Sequence, residues 1–362
     1  MERVLYLTDT FCAVAEDHRL TEYIPVRKED RTGLIMSGKV NRIMSGLEAA
    51  FVDIGGAKDG FLPLKENSQS FQGPPIHSGD RILVQIRREE TGGKGANLSR
   101  DLSIPGSYLI LMPMNRHIGV SARIQDEETR KQLMLLGREL VFREGNADHA
   151  SKKSGFDEAP QGQNFGLILR ESALTAEKDI LRRELSLLLS QWESIRNGQF
   201  SPSGPETELI RDYTPRGIDR ILRDMPLSPD LERQRKESLS RIIRLPHGGN
   251  IVIDRCEALT VIDVNSASDS REGSRRETTL RTNLEACWEI MIQTRLRNLS
   301  GILIIDFIDM MEIEDQRKVL ETMEEAFRQD RIKTVIHGYT SLGLMEMTRK
   351  RSRSPWQEHQ FT

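Results

Sequence analysis

The sequence predicts a multidomain α/β chain, and three observations predict it. Residues 32–100 hold four or five short strand-like runs bounded by Gly, Pro and Asp, a pattern that fits a small closed barrel. From residue 250 onward, strand-like and helix-like runs alternate, which fits an α/β layer. Two apolar strand-like runs in that layer, LTVIDVN (259–265) and ILIIDFID (302–309), each carry an acid inside an otherwise buried pattern. The length of 362 residues fits two or three domains.

Element by element, RVLYLTDT followed by FCAVAEDHRLTEYIPVR reads as a hairpin of two strands. TGLIMSGKVNRI, EAAFVDIGG, GFLPL and RILVQIRR supply the barrel strands, and closure removes their exposed edges. SYLILMP and IGVSARI are two further strands. Leu133, Leu136 and Leu140 make an apolar stripe on a helix over 126–143. Residues 144–164 are polar and Gly-rich, an insertion without a packed core. GLILR (166–170) is a strand, and Leu181, Leu185, Leu188 and Trp192 mark an amphipathic helix over 173–197. Residues 206–245 read as Arg-rich helical fragments broken at Pro215, Pro226 and Pro229. GGNIVIDRCEALTVIDVNSA is a two-stranded hairpin. A helix at 277–298, a buried strand at 301–308, a helix at 314–329 and a strand at 332–337 complete the layer.

Composition narrows the function classes. Lys and Arg number 52 against 55 Asp and Glu, for a formal charge of −3, so the chain is not uniformly basic, although local patches are not excluded. No apolar run approaches the roughly 20 residues of a bilayer span. The start, MERVLYLTDT, has no basic-then-apolar targeting pattern, and the expected compartment is the cytoplasm. Cys12, Cys256 and Cys287 are widely separated and form no CxxC, which disfavours a disulfide framework or a zinc knuckle. Basic residues concentrate at 328–353, a candidate stripe for a nucleic-acid backbone.

The acids carry the chemistry. A carboxylate in an apolar strand is costly to bury unless a cation or hydrogen-bond donors compensate it. Side chains two apart share a strand face, so Val261, Asp263 and Asn265 point one way, and Ile304, Asp306 and Ile308 share a face of the second strand. The helix between the two strands makes a strand-helix-strand unit, which places them parallel and Asp263 near Asp306. Two such acids repel unless a divalent cation sits between them, and oxygen ligands suit Mg²⁺ or Mn²⁺. Asn265 is a third member, as ligand or water-orienting group. The connecting loop 266–276 carries Arg271, Arg275 and Arg276, which fits a phosphodiester substrate. Phe51 and Phe61 on the barrel, with Lys94, offer base stacking and a phosphate contact.

These residues resemble the ribonuclease E/G family. The carrying segments are GLEAAFVDIGGAKDGFLPLKE, GKGANLSRDLSIPGSYLILMP, GLILRESA, EALTVIDVNSA, TNLEACWEI, GILIIDFIDM and GLMEMTRKRS, in family order across nearly the whole chain. The resemblance implies an RNase H-like segment with an inserted OB-fold barrel of S1 type and a 5′-sensor region, followed by a DNase I-like α/β catalytic domain. On this chain it places a split RNase H-like domain at 1–31 and 206–240, the barrel at 32–100, the sensor region at 101–205, the catalytic domain at 241–350 and a tail at 351–362. It implies hydrolysis of single-stranded AU-rich RNA in rRNA and tRNA processing and mRNA decay, leaving 5′-phosphate ends. Asp263 and Asp306 become Mg²⁺ ligands, with Asn265 beside them. Phe51, Phe61 and Lys94 match RNA-anchoring positions. Gly106, Ile110, Arg170 and Lys333 match the pocket that reads a 5′-monophosphate.

Three departures qualify that expectation. Glu171 stands where the sensor pattern has Thr, and Lys333 stands where it has Arg, losing the bidentate fork. Weak preference for 5′-monophosphate RNA is therefore expected. The RNase H-like portion around 213–240 is roughly 30 residues short of the family pattern, judged against typical domain size. The given sequence ends at RKRSRSPWQEHQFT, ahead of the family's CPxCxG motif, so neither zinc nor the dimer that shares it is expected from these residues, and any oligomer forms otherwise. The alternative reading is a paralogue that binds RNA and cuts it weakly or not at all.

Overall fold

The computed structural model describes residues 1–26, 31–65, 74–90, 95–145, 165–199, 204–266 and 275–351. The chain divides into two compact units. One combines Met1–Val26 with Ile218–Thr362, and the other is Arg27–Gly217. The polar insertion read at 144–164 lies almost wholly outside the described residues.

The first unit opens with three strands, β1 (Arg3–Leu7), β2 (Phe11–Glu16) and β3 (Arg19–Pro25), where the sequence suggested two. FCAVAEDHRLTEYIP is not one strand because Asp17 and His18 take positive φ (47° and 64°) and reverse the chain. Short polar side chains tolerate that region better than most residues do.

The second unit contains a closed five-stranded barrel, as the short Gly-bounded runs predicted. Its strands are β4 (Ile35–Met44), β5 (Ala49–Asp53), β6 (Gly60–Pro63), β7 (Arg81–Arg88) and β8 (Asn97–Ser99), in the order β4-β5-β6-β8-β7. Val40, Val52, Leu62, Val84, Ile86 and Leu98 fill its interior. A second sheet of this unit joins β9 (Ile104–Pro105), β10 (Leu109–Met112), β11 (Ile118–Val120) and β12 (Gly166–Leu169). It packs with α1 (Glu127–Gly145) and α2 (Lys178–Arg196) around Leu109, Leu111, Leu167, Leu169, Leu181 and Leu185. Helix α2 begins later than the apolar spacing suggested, because Glu171–Leu174 form a separate 3-10 turn. Helix α3 (Pro205–Tyr213) ends the unit.

Back in the first unit, two short strands appear where the sequence suggested only helical fragments. They are β13 (Arg220–Arg223) and β14 (Ile242–Arg244), on either side of α4 (Pro229–Glu237). β13 pairs in parallel with β1, completing a four-stranded sheet in the order β13-β1-β2-β3. The main sheet has six strands in the order β14-β15-β16-β17-β19-β18. The remaining five are β15 (Asn250–Arg255), β16 (Leu259–Asn265), β17 (Gly301–Asp306), β18 (Thr334–Tyr339) and β19 (Met345–Arg349). Helix α5 (Arg275–Leu296) connects β16 to β17, and α6 (Ile313–Arg328) follows β17.

Burial alternates along these strands. Ile251, Ile253, Ile262, Val264, Leu303, Ile305, Met345 and Met347 enter one core with Ala286, Ile290, Val319 and Met323 of the two helices. The opposite sheet face carries Val261, Asp263, Asn265, Ile304 and Asp306, which are half-buried or exposed. β17 ends at Asp306, so Ile308 lies past the strand and does not share that face in the way the spacing suggested.

Buried charge joins the small sheet to the rest of this unit. Arg295, with a side chain 1% exposed, lies 3.4 Å from Glu16 and 3.8 Å from Glu22. Arg331 meets Glu22 at 2.6 Å, and Arg3 meets Glu16 at 2.8 Å. Burial by itself would raise the Glu16 carboxyl, but Arg295 and Arg3 hold it below its ordinary value. The basic stripe read at 328–353 loses two members, because the Arg331 and Arg349 side chains are buried in ion pairs and are not available to a nucleic acid.

Candidate functional site

β16 and β17 run parallel and adjacent, with Asp263 and Asp306 as direct register partners, Asp306 closing β17 and Asp263 standing two residues before the end of β16. A crossover through α5 brings this about, since a strand-helix-strand unit with a long connection returns the chain parallel. Both side chains stand on the face away from α5. Asn265, two residues on, donates from Nδ2 to Asp263 Oδ2 at 2.8 Å. That contact uses the amide nitrogen of Asn265, whose carbonyl oxygen is a neutral acceptor.

The pair is electrostatically strained. Partial desolvation first, then the charges of Asp263 and Asp309, hold the Asp306 carboxyl above its ordinary value. Two carboxylates and an amide oxygen at one sheet end form a hard-oxygen donor set, and their mutual repulsion is what a divalent cation relieves. The residues therefore fit Mg²⁺ or Mn²⁺. Among the described residues no group of three or more His, Cys, Asp or Glu converges on one point.

Asn283 supports this end of the sheet, a role that the sequence reading missed. Fully buried on α5, it donates from Nδ2 to the Ile308 carbonyl at 2.8 Å and accepts from the Ile308 amide at 3.1 Å. This two-point hold sets the chain just after Asp306. A buried Asn at a helical core position was the available signal, since an amide there needs dedicated partners. Arg275 and Arg276, read as loop residues, instead begin α5, and Arg276 is committed to Asp315 at 2.7 and 3.2 Å. Arg271 lies outside the described residues.

On the barrel, Phe51 and Phe61 are register partners across β5 and β6. Their ring centroids are 6.0 Å apart at 77°, and the Arg42 guanidinium lies 4.5 Å over the Phe51 ring. Val52 and Leu62 point inward at zero exposure, so the alternation of each strand turns the two Phe rings outward. Lys94 lies outside the described residues.

Gly106, Ile110 and Arg170 come together in the second unit. Arg170 donates from Nη1 to the Gly106 carbonyl and from Nη2 to Asp212, both at 2.8 Å. The amides of Ser107, Tyr108 and Leu109 all donate to the Glu184 carboxylate, at 2.6, 2.8 and 2.8 Å. A Cβ on Gly106 would lie 2.6 Å from the Glu184 carboxyl carbon, so a side chain there would push that carboxylate away from the amides it accepts. Ile110 pairs with Ile168 and Pro105. Lys333 belongs to the other unit, immediately before β18.

The sequence model described as the ribonuclease E/G family matches residues 103–230 and 226–352. The chain is 37% identical over 377 residues to ribonuclease E of Haemophilus influenzae, covering 89% of this chain and 38% of that protein. Against ribonuclease E of Escherichia coli K12 it is 37% identical over 378 residues, covering 89% and 34%. Against ribonuclease G of the same strain it is 30% identical over 388 residues, covering 93% and 77%. The chain thus spans little more than a third of the two ribonuclease E relatives and about three quarters of ribonuclease G. By these matches, the chain belongs to the ribonuclease E/G family.

Proposed function

We propose that the chain is a divalent-metal-dependent endoribonuclease that hydrolyses single-stranded, AU-rich RNA and leaves 5′-phosphate and 3′-hydroxyl ends. The observation that carries this reading is the register pairing of Asp263 with Asp306 beside Asn265. Mg²⁺ is the proposed ion, with Mn²⁺ as a substitute, and rRNA and tRNA processing and mRNA decay are the proposed settings. The family domain layout, with RNase H-like, S1-type and DNase I-like parts and a cytoplasmic home, belongs to the same proposal. No helix among the described residues is long and apolar enough to cross a membrane.

Asp263 and Asp306 would hold the cation between their carboxylates. Bound there, it supplies charge stabilisation for the phosphoryl oxygens and a lowered pKa for water. Asn265 fixes one oxygen of Asp263 through its Nδ2 and presents its carbonyl to the attacking water or the substrate. Asn283 keeps the chain after Asp306 from moving away from the pair. Phe51 and Phe61 offer flat apolar faces to two bases, with Arg42 stacked behind one of them. In the sensor-like region the Arg170 fork is spent on Asp212 and Gly106, and the neighbouring amides are spent on Glu184. This supports cutting with little regard for the 5′ end.

The test is cleavage of a fluorescent single-stranded RNA with Mg²⁺. Wild type should cut it, and Asp306→Asn should be slower by at least about 100-fold, since the ion contributes several kcal/mol to the transition state. Equal background rates in the two proteins would end this reading in favour of RNA binding without cleavage.

A further inference from the structure

Cross-strand pairing on the barrel brings five side chains into one row. Arg42 on β4 pairs with Phe51 on β5, and Phe51 pairs with Phe61 on β6. Phe61 pairs in parallel with Asn97 on β8, and Asn97 pairs with Arg88 on β7. Val52, Leu62, Ala96 and Leu98, chain neighbours of the three central members, all point into the barrel core. Alternation therefore turns Phe51, Phe61 and Asn97 outward. Arg42 and Arg88 are exposed at the two ends of the row.

The row runs unbroken because β8 lies unusually close to β6. A Cβ on Gly60 would fall 2.5 Å from the Leu98 side chain, and one on Gly95 would fall 2.1 Å from the Asp59 carbonyl oxygen. The Phe61 amide donates to the Ala96 carbonyl at 2.7 Å and fixes the approach. On the seam that closes the barrel, β4 and β7 run antiparallel with Lys39 opposite Arg81. Arg42 thus meets the seam near the start of β7, whereas Arg88 is the last residue of that strand. The two cations bracket the row rather than cluster.

Two members of the row have chemistry in reserve. Asn97 is half-buried, and its side-chain amide has no hydrogen-bond partner among the described residues. An amide that has lost part of its hydration without a partner is costly, and a ligand edge would offset that cost. Arg88 likewise has no ion-pair or hydrogen-bond partner for its guanidinium among the described residues. Arg42 lies over the Phe51 ring, a contact that leaves its N–H edges free to donate.

We propose that Asn97 reads the edge of an unpaired adenine stacked on Phe61, with Arg42 and Arg88 holding the RNA backbone on either side. This rests on the endoribonuclease reading above and gives its AU-rich preference a residue. Neighbouring strands stand about 4.8 Å apart, so a base lying on Phe61 carries its edge to Asn97. The amide oxygen accepts from adenine N6–H and the amide nitrogen donates to N7. Guanine presents two acceptors on that edge, and pyrimidines have no N7, so neither satisfies both halves of the amide.

The experiment is fluorescence anisotropy with labelled short oligoadenylate, oligouridylate and oligocytidylate, using the full chain carrying Asp306→Asn to prevent cutting. Comparing each variant with its parent on the same oligonucleotide cancels the self-stacking of oligoadenylate. Adding Asn97→Ala should weaken oligoadenylate binding about tenfold, the scale of one bidentate base contact, and the other two by less than about twofold. Asn97→Asp keeps an acceptor and loses the donor, and should lose the same selectivity. Arg42→Gln and Arg88→Gln should each reduce the KCl slope by about 0.7 on all three oligonucleotides, the increment for one phosphate on a single strand. Urea midpoints should match the parent in every case, since none of these side chains enters the core. Asn97 variants that weaken all three oligonucleotides equally, or none, overturn the adenine assignment. An unchanged slope in either arginine variant overturns the bracketing. A parent that binds none of the three removes the endoribonuclease reading together with this inference, whereas normal parent binding with indifferent variants removes this inference alone.

Discussion

Arg349 lays its guanidinium on the carboxylate of Asp330 at 2.6 and 3.1 Å, with both side chains essentially excluded from water. A third donor position, Nη1, reaches the Leu299 carbonyl at 2.9 Å, so the buried cation is well satisfied. Burial by itself would raise the Asp330 carboxyl, but Arg349 holds it below its ordinary value. Breaking such a pair strands the other charge. Asp330→Ala should lower stability by about 3–5 kcal/mol, read from urea unfolding. A depressed folded-state pKa means that stability is present above the unfolded value of about 3.9 and is lost as pH falls below it. Asp330→Asn should therefore unfold with a shallower acid limb than wild type, and an unchanged limb would contradict the assignment.

The candidate metal pair predicts the opposite sign. Asp306 is held above its ordinary value, so its ionisation opposes folding, and stability falls as pH rises past about 3.9. In EDTA at pH 7, Asp306→Asn should melt no lower than wild type. Mg²⁺ at ten times its dissociation constant should raise wild-type stability by about 1.4 kcal/mol and leave the variant unmoved. Thermal unfolding with and without Mg²⁺ reads both effects.

Glu184 accepts three consecutive backbone amides, those of Ser107, Tyr108 and Leu109. Glu184→Ala should cost about 2 kcal/mol or more, since each stranded donor carries its own penalty. Gly106→Ala should be similarly harmful, because its Cβ meets the same carboxylate. Gly46→Ala should be nearly neutral, since nothing lies within 4 Å of that position. Urea midpoints for the three variants test the ranking.

The engaged state of Arg170 predicts weak 5′-end discrimination. The ratio of kcat/KM for 5′-monophosphate over 5′-hydroxyl RNA should stay below tenfold, or about 1.4 kcal/mol. A larger ratio would mean that Arg170 leaves Asp212 when substrate binds.

The barrel rings predict a different readout. Phe61→Ala should weaken single-stranded RNA binding by about 1–3 kcal/mol, the usual worth of one stacked base. Because both rings lie outside the barrel core, the urea midpoint should move much less than a core Phe would require. Anisotropy and unfolding measured on the same sample separate the two effects.

Much of this arrangement was legible in the sequence. LTVIDVN and ILIIDFID are β-branched and apolar enough to be strands, and the helix between them dictated a parallel pair, so Asp263 and Asp306 could be brought together before any coordinates. The barrel followed from its turn residues. The short edge strands did not, since RILR and IIR are three or four residues with charges at their ends, and pairing rather than propensity makes them strands. MEMTR does alternate, with Met345 and Met347 inward, but its Arg349 reads as solvent-facing until a buried Asp330 supplies a partner. Asn283 and Glu184 were illegible for one shared reason. Each acts through a backbone contact across tens of residues, and no local spacing records such a contact.

The parallel pairing of β13 with β1 also has a consequence for synthesis. Strands β1 to β3 leave the ribosome before β13, which pairs Arg220 with Val4, and well before Arg295 and Arg331, which follow Glu16 and Glu22 by 279 and 309 residues. At roughly 5–20 residues per second this is a wait of about ten seconds or more. The intervening barrel unit can complete its own local pairings during that interval. The nascent N-terminal strands meanwhile expose unpaired edges and uncompensated acids, which makes them the segment of this chain most in need of chaperone cover.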